Sequence, residues 1–403
     1  MRSAALSAAL LITGLTAAAQ EKPFLQSEFI FPLEHWHNHS SSLVELPGGD
    51  IFAVWYHGSG ERTADDVLIE SSRLIRGSKN WTPRQTIADT PGFPDCNSAV
   101  FLDSRNRLWL LWPVILANEW HTALMKYRIS SDYSDPKRLP RWDVSDDMLF
   151  IPRNFTEVAR KAIEPRLKAA APGSAQETYL KRLWERSGDK YFMRMGWMPR
   201  AHPVQLPSGR IIVPLYSDGY DFSLMALTDD HGKTWTTSEP LVGAGNIQPS
   251  IARKRDGTLV AYMRDNGPPP KRLHISESKD DGVTWSPVRD SDIPNPGTGA
   301  EVIVLKDGTW AHIYNDTERG RHSLAVALSD DEGASWKWKR HLELDTRAER
   351  PGSFHYPSII QARDGSLHAT YSYFLNHLPA DAARKSIKHA HFNTAWIQQG
   401  DPK

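Results

Sequence analysis

Four short segments of this chain combine side chains that bind anions with side chains that transfer protons. Each stands at the start of a β-rich run: Asp95–Asn97, Arg200–His202, Thr298–Glu301 and His355–Tyr356. Arginine binds a carboxylate through two parallel hydrogen bonds, and Asp, Glu, His and Tyr serve as acids, bases or nucleophiles. A pocket built from such residues suits an acidic sugar.

A fifth segment, His35–His39, places histidines at alternate positions. In an extended strand they would lie on one side, as zinc ligands can. No Cys or carboxylate motif stands at metal-binding spacing, so we expect neither a metal nor another cofactor. His39 by itself stays a candidate for substrate binding. Cys96 has no base beside it in the sequence, and we interpret it as a buried structural thiol.

Composition excludes several functional classes. The 403 residues include 48 Lys and Arg against 48 Asp and Glu, so the formal net charge is zero. A nucleic-acid-binding protein would be expected to have more basic than acidic residues, and this chain does not. No segment approaches the roughly 20 apolar residues that cross a bilayer. The single cysteine permits no intramolecular disulfide, so stability must come from a large core, and we expect a monomer.

The N-terminal residues 1–19 resemble a secretory signal peptide. Arg2 supplies the positive start, Ala4–Thr16 is a short apolar stretch, and Ala17–Ala19 offers a small-residue cleavage site. We therefore expect residues 20–403 to form the exported protein, either periplasmic or secreted.

Two repeats predict the elements that position the polar segments. The first, Ser/Thr-x-Asp-x-Gly-x-Ser/Thr-Trp, occurs at Thr228–Trp235, Ser278–Trp285 and Ser329–Trp336, with the Trp residues 50 and 51 apart. Its Asp accepts hydrogen bonds from turn N–H groups, its Gly adopts positive φ, and its Trp packs between sheets. A fixed period of this size indicates stacked supersecondary units.

The second repeat is a hairpin turn followed by an apolar strand. Its six copies are Pro47–Tyr56, Ser104–Trp112, Pro207–Tyr216, Arg255–Tyr262, Lys306–Tyr314 and Arg363–Tyr371. Six copies predict an all-β, six-bladed β-propeller in which the starts of the inner strands converge at one end of the channel. We expect Phe24–Phe31 to supply the outer strand of the last blade and to close the ring.

One interval is too long for the repeat. Residues 143–195, between blades 2 and 3, break the β pattern and predict a helical insertion, with helices at Asn154–Lys168 and Ser174–Arg186. Ser174–Glu177 is a capping box. The insertion is either a surface ornament or a wall beside the site.

The Trp-containing repeat is the Asp-box, or BNR repeat. Three copies, six blades and a signal peptide together resemble the sialidase (neuraminidase) superfamily, over nearly the whole mature chain. The resemblance implies an exo-glycosidase with three arginines that hold the sugar carboxylate, an acid for the leaving oxygen, and a Tyr nucleophile activated by a Glu, an exception to the two-carboxylate scheme.

Carried over by position, the first half of the family pattern is altered. His39, in His39–Leu43, stands where the family has an Arg. The loop Gly58–Val67 should carry the acid that protonates the leaving oxygen. Asp65 is the first candidate for this acid, and Glu61 and Asp66 are alternatives. Arg62, in the same loop, is a candidate for substrate binding.

The second half of the pattern is better kept. Arg264 matches a family Arg, whereas Gln248 replaces the family Glu. Arg319 and Arg321 are both candidates for the third Arg. Tyr356 matches the nucleophile, oriented by Gln248 or by Glu301. These departures resemble a divergent group of predicted bacterial neuraminidases.

The expectation is thus an exported, sialidase-like exo-glycosidase whose partner is a glycan with an acidic terminal sugar. Further substrate-binding candidates from the strand starts are Asp95, Arg200 and His355. Two alternatives stay open. One is a lyase or hydrolase for a uronate-containing polysaccharide, in which His39 or Tyr356 is the base. The other is a glycan-binding propeller without catalytic activity.

Overall fold

The computed structural model describes residues 22–402, and within them the strands form six sheets around a channel. The proposed signal peptide, residues 1–19, lies outside the described residues, and export stays a prediction. None of the helices in the described part is long and apolar enough to cross a membrane. The predicted six-bladed β-propeller is confirmed.

Each blade has an inner strand at the channel and successive antiparallel strands outward. Blade 1 consists of β2 (His37–Glu45), β3 (Ile51–Gly58), β4 (Leu68–Leu74) and β5 (Gln85–Ala88). Blade 2 consists of β6 (Ala99–Leu102), β7 (Leu108–Ile115), β8 (Ala123–Ser130) and β9 (Val144–Asp147). Blade 3 consists of β10 (Met198–Pro199), β11 (Val204–Gln205), β12 (Ile211–Ser217), β13 (Phe222–Thr228) and β14 (Thr236–Thr237). In blade 3, β10 and β11 both pair with β12.

Blades 4 to 6 repeat the same order. Blade 4 consists of β15 (Asn246–Arg253), β16 (Leu259–Asp265), β17 (Arg272–Ser278) and β18 (Arg289–Pro294). Blade 5 consists of β19 (Glu301–Val304), β20 (Trp310–Tyr314), β21 (Ser323–Ser329) and β22 (Trp338–Leu344). Blade 6 consists of β23 (Ser353–Gln361), β24 (Leu367–Phe374), β25 (Lys385–Phe392) and β1 (Leu25–Phe29).

The N-terminal strand closes the ring, as the sequence predicts. β1 runs antiparallel to β25, from Leu25 opposite Phe392 to Phe29 opposite Lys388. Asn393 ties the junction further, because its side chain donates to the Lys22 carbonyl and accepts from the Phe24 N–H. A strand supplied from the other end of the chain thereby covers the last sheet edge.

The Asp-boxes fold as tight turns between the third and fourth strands of their blades. In the first copy, Asp230 accepts hydrogen bonds from the Thr234 N–H and hydroxyl at 2.9 and 2.7 Å. The backbone hydrogen bond from Thr234 is the largest of the interactions that lower the pKa of Asp230 to about 2. Trp235 packs edge-on against Trp109 of blade 2, so this box also joins two blades.

The Asp-box glycine yields a stability prediction. Gly232 has φ of +88°, and a Cβ there would lie 2.6 Å from Cη2 of the buried Trp109. Gly209 has a similar φ of +94° but open space around it. We expect Gly209→Ala to lower the free energy of unfolding by about 1 kcal/mol through backbone strain alone. Gly232→Ala should lower it by about 2–4 kcal/mol, because Trp109 must also move.

Denaturant unfolding of both variants measures this difference. Equal losses for Gly232→Ala and Gly209→Ala would show that close packing against Trp109 contributes nothing.

The helical insertion is present, but it begins later than predicted. Residues 144–147 belong to blade 2 as the outer strand β9, because they pair with β8 rather than leaving the sheet. The insertion consists of α1 (Phe155–Ala169), α2 (Ala175–Arg186) and α3 (Lys190–Arg194). Pro165 lies inside α1 without ending it. Ser174 caps α2 by accepting from the Glu177 N–H at 3.1 Å. A short helix, α4 (Thr394–Gln398), follows β25.

Candidate active site

A polar cavity of about 550 Å³ opens at the end of the channel where the inner strands begin. Its lining is rich in charged and aromatic side chains. The lining residues are His39, Tyr56, Glu61, Arg62, Asn97, Trp120, Tyr216, Asp218, Asp221, Arg264, Asn266, Arg321 and Tyr356.

Irregular backbone aims the inner-strand side chains at this cavity. Ser40, Asn97, Gln248 and Tyr356 occupy equivalent positions near the starts of four inner strands, and each has φ between +39° and +55°. In three of these blades the register of the inner strand shifts at the same place. Such bulges turn a side chain away from the regular alternation of a strand, and non-glycine residues with positive φ are typical of functional sites.

Tyr356 is held by two hydrogen-bond donors. Its phenolic oxygen accepts from Arg264 Nη1 at 2.7 Å and from Gln248 Nε2 at 3.0 Å. Both donors would stabilise negative charge that develops on this oxygen, and the guanidinium does so more strongly because it is charged. The structure thus joins Tyr356, Arg264 and Gln248 as the sequence predicts.

Three guanidinium groups line the cavity. Besides Arg264, Arg321 lies with its guanidinium carbon 5.6 Å from the centre of the Tyr356 ring, and Arg62 lies 5.5 Å from the Trp120 ring. Arg319, the other candidate in its hairpin, is exposed and does not line the cavity. The geometry therefore distinguishes Arg321 from Arg319, which the sequence left open.

His39 is buried against Tyr356, with ring centres 4.2 Å apart. Burial, followed by the influence of His355, lowers the pKa of His39 well below its usual value. The ring is therefore neutral near pH 7 and does not replace a guanidinium as a fixed cation. Its Nδ1 lies 2.8 Å from Ser372 Oγ, which also accepts from the Ser40 N–H. This arrangement favours donation from Ser372 to Nδ1 and leaves Nε2 for a ligand.

Of the acidic residues in the loop after β3, Glu61 faces the cavity. Its Oε1 accepts from Tyr56 Oη at 3.0 Å and lies 3.1 Å from His37 Nε2. Burial tends to raise the pKa of Glu61, but the hydrogen bond to His37 and the neighbouring histidines outweigh it and lower the pKa to about 2. Asp65 is exposed and accepts from Asn118 Nδ2 at 2.8 Å outside the cavity.

Three other sequence candidates, Arg200, His355 and Glu301, lie behind the cavity wall. Arg200 is buried 5.2 Å from the Tyr356 ring and donates to the Pro357 carbonyl. His355 is buried beside His39, and burial, then the charge of Arg321, lowers its pKa well below the usual value. Glu301 accepts from the backbone and ring of His202, both at 2.8 Å, and thus does not orient Tyr356.

Asp95 also lies outside the cavity lining, where it supports the fold. Its carboxylate accepts from Trp112 Nε1 at 2.7 Å and from the Thr90 N–H at 2.6 Å. We expect Asp95→Asn to lower the free energy of unfolding by about 1–3 kcal/mol, because an amide nitrogen would face one of these donors. Because Asp95 does not line the cavity, KM for a bound sugar should stay within about twofold.

Unfolding curves and initial rates on the same Asp95→Asn preparation make the test. A rise in KM with an unchanged free energy of unfolding would show that Asp95 contributes to substrate binding after all.

Sequence reasoning missed several lining residues, of which Asp218 carries the most chemistry. Asp218 comes two residues after Tyr216 of β12, and Arg264 comes two residues after Tyr262 of β16, so both occupy the same position relative to the Tyr of the second strand of their blades. That repeat position was the signal that identifies Asp218. Tyr56 lies on β3 at the end of its hairpin repeat, and Asn97 ends the polar segment Asp95–Asn97, so both could have been found from the sequence. Asp221 and Asn266 stand on loops without a motif, and no such signal marks them.

Within residues 22–402, no group of three or more His, Cys, Asp or Glu side chains is arranged to hold a metal. Cys96 is buried, and burial raises the pKa of its thiol well above the usual value. The cavity therefore offers three guanidinium groups for an anionic ligand, together with three tyrosines and three carboxyl groups.

Known proteins share this architecture. A family model described as a BNR repeat-like domain matches residues 185–369, which run from the insertion to blade 6. The chain is a BNR-repeat propeller with the sialidase-superfamily fold.

The relatives of this BNR-repeat propeller are distant. The anhydrosialidase of Macrobdella decora is 28% identical over 182 residues, which are 41% of this chain and only 23% of that enzyme. Among solved structures, a leech intramolecular trans-sialidase in complex with 2,7-anhydro-Neu5Ac has a TM-score of 0.67 at 14% identity, over 93% of this chain and 71% of its own. The intramolecular trans-sialidase from Ruminococcus gnavus, in complex with oseltamivir carboxylate, has a TM-score of 0.64 at 14% identity, over 90% and 95%. At these identities the solved structures show the fold.

Proposed function

We propose that this BNR-repeat propeller is a sialidase-type glycosidase that removes an acidic terminal sugar, of the sialic-acid type, from a glycan. The observation that carries the proposal is the Tyr356 oxygen, which accepts from Arg264 and Gln248 beside the Arg321 guanidinium in a polar cavity. The distant likeness to the leech anhydrosialidase supports it.

The cavity suits the two charges of such a reaction. Arg264 and Arg321 would bind the sugar carboxylate, since planar guanidinium groups match its two oxygens. The Tyr356 oxygen would then face the ring carbon on which positive charge develops, and it would stabilise or trap that centre. Because His39 is neutral, the carboxylate is held by fewer fixed cations than the three arginines that the resemblance implies.

The experiment is hydrolysis of a fluorogenic aryl α-sialoside by the purified protein, with release of free sialic acid measured in parallel. Turnover of the sialoside supports the proposal. If the protein binds a sialic-acid analogue to saturation but does not turn over the sialoside, the proposal is contradicted.

One observation favours a second candidate, β-elimination on a uronate-containing polysaccharide. Tyr356 would be the base in this reaction, because Arg264 and Gln248 donate to its oxygen and would stabilise the phenolate that removes the proton, and Arg264 with Arg321 would neutralise a uronate carboxylate equally well. Elimination produces an unsaturated uronate that absorbs in the ultraviolet, whereas hydrolysis does not. An absorbance increase with a uronate polymer, without turnover of the sialoside, would select this candidate.

A further inference from the structure

The turn that carries Asp218 is braced by the helical insertion. It follows β12 and closes with the Asp221 N–H donating to the Ser217 carbonyl at 2.8 Å. From α2, Arg186 donates to the Gly219 carbonyl at 2.6 Å, and Tyr179 donates to Asp221 at 3.0 Å.

Two further contacts hold the turn from other sides. Tyr220 is fully buried and donates to the Arg186 carbonyl at 2.7 Å. Asn266, after β16, donates to Asp221 at 2.7 Å. The insertion is thus a support behind the cavity wall, and the position of Asp218 is fixed without using its own carboxyl group.

The carboxyl of Asp218 remains free for a ligand. Within residues 22–402 no hydrogen bond reaches it, although it lines the cavity. Asp221, in contrast, is occupied by Tyr179 and Asn266, and Glu61 is occupied by Tyr56 and His37. Asp218 is therefore the one of the three lining carboxyl groups that has no hydrogen-bond partner among residues 22–402.

The charged groups around Asp218 are of both signs. Arg264 on β16 and Arg62 after β3 favour its ionised form, whereas Asp221 in the same turn and Glu61 oppose it; Tyr216 lies on the strand before it. Burial is the largest effect and, with these charges, raises the pKa of the Asp218 carboxyl to about 6. Glu61, whose pKa is lowered to about 2, carries no proton to donate near neutral pH.

An acidic sugar would shift this balance further. A carboxylate bound by Arg264 neutralises the cation that most favours ionisation of Asp218, and it adds a negative charge to the cavity. Both changes favour the protonated form of Asp218. Substrate binding would thereby load the proton that the reaction needs.

We propose that Asp218 takes up a proton when an acidic sugar binds, and that it delivers this proton to the leaving oxygen. This inference rests on the proposed glycosidase function. As the Asp218 O–H proton passes to the glycosidic oxygen, the electron pair of the C–O bond goes to that oxygen and a neutral alcohol departs. The Tyr356 oxygen stabilises the cationic ring until water adds and returns a proton to the Asp218 carboxylate.

Calorimetry on the full chain tests the first step. A non-hydrolysable sialic-acid analogue, 2-deoxy-2,3-didehydro-N-acetylneuraminic acid, is titrated near pH 7 in buffers of different ionisation enthalpy. The native protein should take up between about half a proton and one proton per analogue bound, and Asp218→Asn should take up almost none. Binding without uptake, or equal uptake in Asp218→Asn, overturns the inference alone. No binding of the analogue overturns the proposed function as well.

A comparison of leaving groups tests the second step. A nitrophenolate leaves readily without a proton, whereas the lactose of sialyllactose does not. Asp218→Asn should therefore lower kcat/KM at least about 100-fold with sialyllactose and less than about tenfold with a nitrophenyl sialoside. Asp65→Asn, which removes an exposed carboxylate, should affect both substrates alike. A leaving-group-dependent loss in Asp65→Asn but not in Asp218→Asn would assign the acid to Asp65.

Discussion

Tyr356→Phe is expected to lower kcat on a fluorogenic sialoside by at least about 10³-fold, equivalent to about 4 kcal/mol. The substitution keeps the ring and removes the oxygen that accepts from Arg264 and Gln248. Without that oxygen nothing stabilises or traps the cationic ring, and two buried donors lose their acceptor. KM should change less than kcat, because the arginines that bind the carboxylate remain.

The measurement is steady-state kinetics with circular dichroism on the same protein. Tyr373→Phe is a matched control in the same blade, since Tyr373 does not line the cavity; it should retain kcat within about twofold. If Tyr356→Phe keeps more than a tenth of the native kcat, the tyrosine is not the group that meets the ring carbon.

Arg321→Ala is expected to lower kcat/KM for the sialoside by about 30- to 1,000-fold, equivalent to about 2–4 kcal/mol. The cause is the loss of a charge-assisted contact between a half-buried guanidinium and the sugar carboxylate. Burial lowers the pKa of Arg321 somewhat, but a guanidinium remains fully charged near neutral pH. For a neutral sugar analogue that lacks the carboxylate, Arg321→Ala should bind almost as tightly as the native protein does.

Arg319→Ala provides the matched control from the same hairpin, two residues away and exposed. Its kcat/KM should stay within about twofold, because exposed charges contribute little. Equal losses in both variants would mean that the hairpin as a whole, rather than the Arg321 guanidinium, shapes the site.

The sequence predicts the frame well because the frame depends on local patterns. The Asp-box turns are determined by hydrogen bonds within eight residues, as between Asp230 and Thr234. The closing strand β1 was predictable because a sixth blade would otherwise lack a strand. The insertion boundary was misplaced because β9 is short and exposed, so Val144–Asp147 shows no apolar alternation.

The site was less predictable because its contacts cross the ring. The sequence places Glu301 near Tyr356 by blade phase, yet its carboxylate binds His202, 99 residues away. Asp95 stands beside Asn97 in the chain, but only Asn97 lines the cavity. The direction in which Glu61 and Asp65 point depends on how their loop packs, which no motif records.

The ring closure between β1 and β25 also orders events during synthesis. The first strand of the propeller to be made pairs with the last one, so that paired residues lie 359 to 367 positions apart in the chain. Because such long-range pairing pays its loop-closure entropy before any contact forms, blade 6 is completed only after the other five blades have brought the two ends together. Until then the edge of β25 is an open template for another chain. A chaperone or a high protein concentration should therefore influence the yield of this propeller at its final step rather than at its first.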